Sequence, residues 1–210
     1  MGEIICIALS FGCFFRSVFD DKHLPLPLPE GIESRREGEF WIGVAPFAKH
    51  EGKIYPLDRS ESLVARLSQR EDCRVFLMGG GGEEADLLGG WAEKYPRVVS
   101  LARKRLGFAV ELSMMSRMTL VVSMDSANMH LASMAGTPVV SVWGQTHPYA
   151  GFLGWRQSKE NIIQLSDLSC RPCSIFGNKP CYRGDYACMQ ELSVERIWNR
   201  VEEILRREKK

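Results

Sequence analysis

Residues 119–144, TLVVSMDSANMHLASMAGTPVVSVWG, limit what this chain can fold into more than any other stretch. Residues 119–124 and 138–143 are apolar, β-branched runs of the length expected for strands buried on both faces. Between them Met129, Leu131, Ala132, Met134 and Ala135 favour helix, and Gly136 with Thr137-Pro138 stops it. The result is a βαβ unit, the building block of a parallel sheet with helices on its faces.

The turn into that helix holds Asp125, Ser126, Ala127 and Asn128, residue types that cap a helix and leave its first N–H groups pointing outward. In open parallel sheets ligands bind beyond the carboxyl ends of the strands, where a helix N-terminus offers donors and partial positive charge to a phosphate. His130 follows within about one turn, where an imidazole can donate to the same anion. On spacing alone the plainer reading, an N-cap and a satisfied buried histidine, outweighs a ligand site.

The same alternation runs through the preceding residues. A strand at 40–45, FWIGVA, ends at Pro46 and is followed by a loop carrying Lys49, His50, Gly52 and Lys53. Loops in that position carry the ligand chemistry of α/β domains, and Lys53 is a mobile cation suited to a phosphate, though a solvated surface lysine is the default. A helix over 61–70 shows one apolar face through Leu63, Val64 and Leu67.

A strand at 74–78 then meets Gly79-Gly80-Gly81-Gly82-Glu83-Glu84, and a helical pattern continues to Lys94. Glycines there let a ligand approach the backbone, and a carboxylate at the turn accepts both ribose hydroxyls; a merely flexible turn explains the glycines equally well. The run is neither a strict GxGxxG nor a P-loop. A short strand at 97–100, a basic surface loop at Arg103-Lys104-Arg105 and an apolar-faced helix over 108–118 lead into the central unit. After it, Gly144-Gln145-Thr146-His147-Pro148 forms another loop at a strand's carboxyl end, with Thr146 and His147 as candidates for the same ligand; 161–165 is the last strand. Strand and helix alternating about five times define an α/β fold with a doubly wound, Rossmann-like parallel sheet.

At 210 residues with 45% hydrophobic, the chain has material for one generous α/β domain with appendages. Lys and Arg number 27 against 26 Asp and Glu, so a net charge of +1 provides no field for nucleic acid or an acidic membrane. The apolar run 4–15 is too short to span a bilayer and lacks the flanks of a signal peptide, which points to a cytoplasmic protein. The basic end at 206–210 offers peripheral contact with an inner-membrane surface, interrupted by Glu208. Within the first 39 residues, 4–9 reads as a strand, 12–19 as a turn into a helix, 24–29 as an extended Leu-Pro linker and 32–39 as a charged loop. A boundary near residue 40 divides a remnant with its linker, 1–39, from the domain at 40–210.

Cys170, Cys173, Cys181 and Cys188, spaced C-x2-C-x7-C-x6-C, lie in a Pro- and Gly-rich loop over 166–192. That spacing permits a zinc site as a minority reading; reduced thiols suit a cytoplasmic chain better. The terminal segment 193–210 has Val194, Ile197, Trp198, Val201, Ile204 and Leu205 on one face, which either packs into the core or meets another chain.

Taken in order, GKIYP at 52–56, FLMGGGGE at 76–83, MDSANMHLA at 124–132, GTPVV at 136–140 and WGQTHP at 143–148 resemble the C-terminal half of glycosyltransferase family 9, the ADP-heptose:lipopolysaccharide heptosyltransferases and their relatives. The resemblance covers roughly 40–205. It implies one half of a GT-B enzyme that needs no metal or cofactor, in which this half binds the nucleotide-sugar and the other supplies the acceptor site and an Asp base. The final helix of such an enzyme crosses back onto that other half. Carried over, Lys53 pairs with the donor's diphosphate and Glu83, with Glu84 as its fallback, accepts from the ribose. Asp125, Ser126 and the backbone of Ala127 cradle the phosphate beside His130 and Thr146.

With that set together, the preference at Asp125, Ser126 and His130 reverses in favour of a ligand site. Two departures stand out. Ala127-Asn128 replaces the family's Gly-Pro, and forty residues are too few for the N-terminal half, so no catalytic base is nominated. The reading is a heptosyltransferase-like domain of lipopolysaccharide or cell-surface glycan synthesis, with ADP-heptose or a similar donor and a lipopolysaccharide-type acceptor. The alternative is a non-catalytic nucleotide-sugar binding module or a remnant lacking the base-bearing half.

Overall fold

A computed structural model describes residues 26–104, 106–150 and 152–209. The strand expected at 4–9 and the turn into a helix at 12–19 lie outside these residues. Six strands, β1 (Phe40–Ala45), β2 (Cys73–Leu77), β3 (Val98–Ser100), β4 (Leu120–Met124), β5 (Val139–Val142) and β6 (Ile162–Ile163), form one sheet. Its order is β3-β2-β1-β4-β5-β6, and every neighbouring pair is parallel. This is the Rossmann winding, in which the chain moves outward from β1 in one direction and then returns to start β4 on its other side. Successive crossovers therefore diverge between β1 and β4, and the gap they leave lies at the carboxyl ends of those two strands.

Period-two alternation assigns the two faces. In β1, Phe40, Ile42 and Val44 join one buried cluster while Trp41 and Ala45 join the other. The first cluster is closed by α1 (Leu57–Ser68), α2 (Glu83–Lys94) and α6 (Val194–Glu208). The second is closed by α3 (Phe108–Ser116) and α4 (Ala127–Met134), whose Met114, Met115 and Met129 fill the irregular space against Trp41 and Phe76. A short helix, α5 (Ala187–Gln190), precedes α6 and adds Cys188 and Met189 to the first cluster.

The terminal helix chooses between its two readings. Ile197, Val201, Ile204 and Leu205 are buried against the sheet and α1, and Arg66 stacks its guanidinium 3.9 Å from the Trp198 ring. The apolar face packs into the molecule's own core, the reading that the sequence favoured over contact with another chain.

Residues 26–39 are laid along the domain. Ile32 is buried in the second cluster and Leu28 packs against it. Arg117 donates to the Leu26 carbonyl (2.6 Å), and Lys104 donates to that of Glu30 (3.0 Å). The charged stretch before β1 is anchored too: Glu39, 5% exposed, accepts from the Trp41 indole N–H (2.9 Å) and pairs with Arg36 and Arg74. No helix among the described residues is long and apolar enough to cross a membrane.

Candidate functional site

A cavity of about 500 Å³ opens at the carboxyl edge of the sheet, over the gap between β1 and β4. The loop after β1 supplies Phe47, Lys49, His50 and Lys53 to its wall; the turn after β4 supplies Asp125, Ser126, Ala127, Asn128 and His130. Glu84 closes it on the β2 side, and Phe152 and Phe176 on the β5–β6 side.

At its centre Lys53 Nζ lies 2.9 Å from Asp125 Oδ2, with the two side chains 15% and 4% exposed. The same carboxylate oxygen accepts from the buried Thr146 hydroxyl at 2.8 Å. Asp125 is thus held from two sides and holds Lys53 in turn. An ammonium carries three donors, and this arrangement occupies one, so the remaining N–H groups can reach an anion in the cavity.

Backbone interlocking fixes the loop that carries the lysine. The Gln145 N–H donates to the Gly52 carbonyl (2.9 Å), and a Cβ on Gly144 would stand 2.4 Å from that same oxygen. Only glycine permits so close an approach of the β5 loop to the β1 loop. Arg171 secures the β5 side: its guanidinium donates to the carbonyls of Gly144 (2.6 Å), Thr146 (3.1 Å) and Leu165 (2.5 Å).

Helix α4 starts at Ser126, which is extended (φ −147°, ψ 174°) and makes no side-chain cap. Its hydroxyl lies 3.3 Å from that of Ser123 instead. The first N–H groups of the helix have no intrahelical partner, and they open on the cavity through Ala127 and Asn128. Cation and helix N-terminus thus converge on one space, an arrangement suited to a phosphate or diphosphate.

His130 lines the same wall. The residue is exposed on the cleft, and desolvation by the surrounding protein lowers its pKa from the ordinary 6.5; Asp125 acts against that shift and Lys53 with it.

The sequence-derived set is only partly brought together. Lys53, Asp125, Ser126, Ala127 and His130 line the cavity. Thr146 sits behind Asp125, where it orients the carboxylate and does not line the space. Glu83 is exposed and outside the lining, whereas Glu84 lines it and accepts from the Gly80 N–H at 2.6 Å. The reason is helical phase: α2 begins at Glu83, and a step of about 100° carries the next side chain back over the glycine turn. His147 is outside the lining and accepts the Tyr149 N–H at its Nδ1.

Phe47, Phe152 and Phe176 are wall residues with no periodic signal in the sequence; each stands in a loop whose course depends on distant anchors. Cys170, Cys173, Cys181 and Cys188 are free thiols. Among the described residues no three His, Cys, Asp or Glu side chains are arranged to hold a metal ion, so the tetrahedral arrangement that the spacing permits is not formed.

A parallel sheet of this winding, with a cation and a helix N-terminus at its switch point, defines a Rossmann-like domain. Residues 32–179 match the model of glycosyltransferase family 9 (heptosyltransferase), and the chain belongs to that family. Its fold is that of one half of a GT-B heptosyltransferase. ADP-heptose LPS heptosyltransferase II of E. coli superposes with a TM-score of 0.60 at 16% identity, covering 96% of this chain and 53% of that one. A family 9 glycosyltransferase from Veillonella parvula DSM 2008 gives 0.62 at 17% identity, over 93% and 51%. E. coli heptosyltransferase WaaC with ADP gives 0.55 at 19% identity, over 84% and 46%. The chain thus spans about half the length of these structures. No match was found among curated protein sequences.

Proposed function

We propose that this domain is the donor-binding half of a glycosyltransferase and takes a nucleoside-diphosphate sugar, ADP-heptose or a close analogue, for lipopolysaccharide or a related cell-surface glycan. The observation that carries the reading is the Lys53–Asp125 pair at the mouth of α4, with donors left over and a cavity in front of it. Breaking a glycosidic bond to a diphosphate requires that the departing negative charge be stabilised. Here Lys53 and the first N–H groups of α4 supply that stabilisation without a metal. Glu84, one strand away, accepts from the ribose hydroxyls, and His130 donates beside the phosphate. E. coli WaaC has been solved with ADP and with ADP-2-deoxy-2-fluoro heptose, which supports a donor of this class. We place the protein in the cytoplasm, where such donors are made, with its acceptor at the inner membrane.

A specific observation also favours a second reading, donor binding without transfer by this chain alone. Among the described residues the carboxylates that line the cavity are Glu84, which holds the Gly80 N–H, and Asp125, which holds Lys53 and Thr146. With Glu84 given to the ribose and Asp125 to Lys53, this reading leaves neither to deprotonate an acceptor hydroxyl and assigns the base to another half. Calorimetric titration of the purified chain with ADP, UDP and ADP-heptose tests both. Binding of ADP and ADP-heptose without release of ADP from the sugar nucleotide supports a donor half that depends on a partner for chemistry; no binding of any of the three removes the assignment.

A further inference from the structure

The cavity has a direction. Along the carboxyl edge of the sheet its wall runs from the Glu84 carboxylate after β2, through Lys53 and the α4 N-terminus over β1 and β4, to two aromatic rings after β5 and β6. Those rings belong to Phe152 and Phe176; their centroids are 5.9 Å apart, tilted by 56°, and Lys53 Nζ stands 5.9 Å from the centroid of Phe152. Phe176 is 57% exposed, yet its position is built. The next residue, Gly177, is in the left-handed region at φ +72°, and a Cβ there would stand 2.7 Å from Lys53 Cγ. Its N–H donates to Ser174 Oγ (2.9 Å), and the Ser174 N–H donates to the Gln145 carbonyl (3.3 Å). The Phe176 end of the wall and the stem of the cation are therefore set by the same contacts.

We infer that Phe152 and Phe176 form a stacking shelf for the glycosyl group of the donor, so that this half of the molecule recognises the sugar as well as the nucleoside diphosphate. The inference rests on the donor-binding reading above. With the ribose at Glu84 and the diphosphate at Lys53, the group attached to the distal phosphate extends away from β2 and arrives over the two rings. The base lies at the other end, towards the hollow lined by Met78, Leu101, Ala102 and Met115. The chemistry matches the position. One face of a pyranose presents C–H groups with partial positive charge, and the face of an aromatic ring is the negative pole of its quadrupole. Pockets for small ligands combine such apolar walls with a few fixed polar groups, as here.

The test is calorimetric titration of ADP and of ADP-heptose into the wild type, F152A, F176A and F176Y, with melting temperatures as a folding check. Because Phe176 is largely exposed, F176A keeps the fold even if F152A loosens the second cluster. The expected result is that F176A weakens ADP-heptose about fivefold and leaves ADP within about twofold, while F176Y, which keeps the ring, binds both as the wild type does. Equal weakening of the two ligands, or of neither, overturns the shelf while ADP binding by the wild type keeps the donor site standing. A wild type that binds neither ligand overturns the donor-binding reading itself, and the shelf with it.

Discussion

Two cation–carboxylate pairs in this molecule use similar chemistry to opposite ends. Near the end of α1, Arg70 donates through Nε and Nη2 to both oxygens of Asp72 (2.9 Å each) and through Nη1 to Glu202 of α6, while Lys209 adds a second cation 2.7 Å from Asp72. Its charges answer one another within the protein, and the group fastens the last helix to the turn before β2. Lys53 and Asp125 are more deeply buried, but the lysine keeps free donors and faces about 500 Å³ of open space. The difference teaches that pairing alone does not single out a candidate functional charge. What marks it is hydrogen-bonding capacity left over in a place that solvent and ligand can enter.

Separating the two pairs by mutation gives the largest expected effect. K53M leaves Asp125 buried without its cation, which costs about 3 kcal/mol or more of stability, and abolishes ADP binding. The double variant K53M/D125N restores most of the urea midpoint but none of the binding. A double variant that still bound ADP would erase the distinction between the pairs.

At the other site R70M should cost about 1–2 kcal/mol and leave the Kd for ADP unchanged, because the carboxylates it abandons are partly hydrated. Its signature is in the pH dependence. Burial raises the Asp72 pKa, but hydrogen bonds from Arg70 and Lys209 outweigh it and hold the carboxyl well below its ordinary 3.8. A depressed folded pKa contributes stability that is present above the unfolded value and is lost as the pH falls through it towards the folded one. Urea midpoints measured from neutral pH downward should therefore fall more steeply below about pH 4 in the wild type than in R70M.

The smallest expected effect separates two adjacent glutamates. E84Q should weaken ADP about tenfold and inorganic pyrophosphate hardly at all, since it removes a charged acceptor from the ribose alone. E83Q should leave both within about twofold, and titration of the two variants side by side decides which residue faces the nucleoside.

How much of this was legible in the sequence follows from how local each signal is. The strands at 40–45 and 119–124 show because a strand covered on both faces reads as an apolar run whatever surrounds it. Lys53 and Asp125 stand out because they fall just past such runs, where the fold places its ligands. The assignment of the nucleoside-facing carboxylate to Glu83, with Glu84 as the fallback, turned on where α2 begins, and helix starts carry an uncertainty of a residue or two. Thr146 was legible as a member of the site but not as a support for Asp125, because that hydrogen bond joins residues from different strands. Phe152 and Phe176 were not legible at all. Phe176 takes its place from the approach of Gly177 to Lys53, and Phe152 from its contact with Phe176, neither of which any periodicity encodes. The Leu-Pro stretch read as a linker, and the packing of Ile32 and the bond from Arg117 to Leu26 depend on a helix some eighty residues further on.

The meeting of Gly52 with Gly144 and Gln145 has a bearing on the order in which this protein becomes competent. The contact locks together backbone segments some ninety residues apart, and the guanidinium that braces it arrives later still, at Arg171. A nascent chain that has already made β1, β4 and every charged group of the proposed phosphate site still lacks the latch that aims them. On the proposed reading, affinity for a nucleotide reports on closure of the whole sheet edge, and ligand added during refolding captures only molecules in which that latch has engaged.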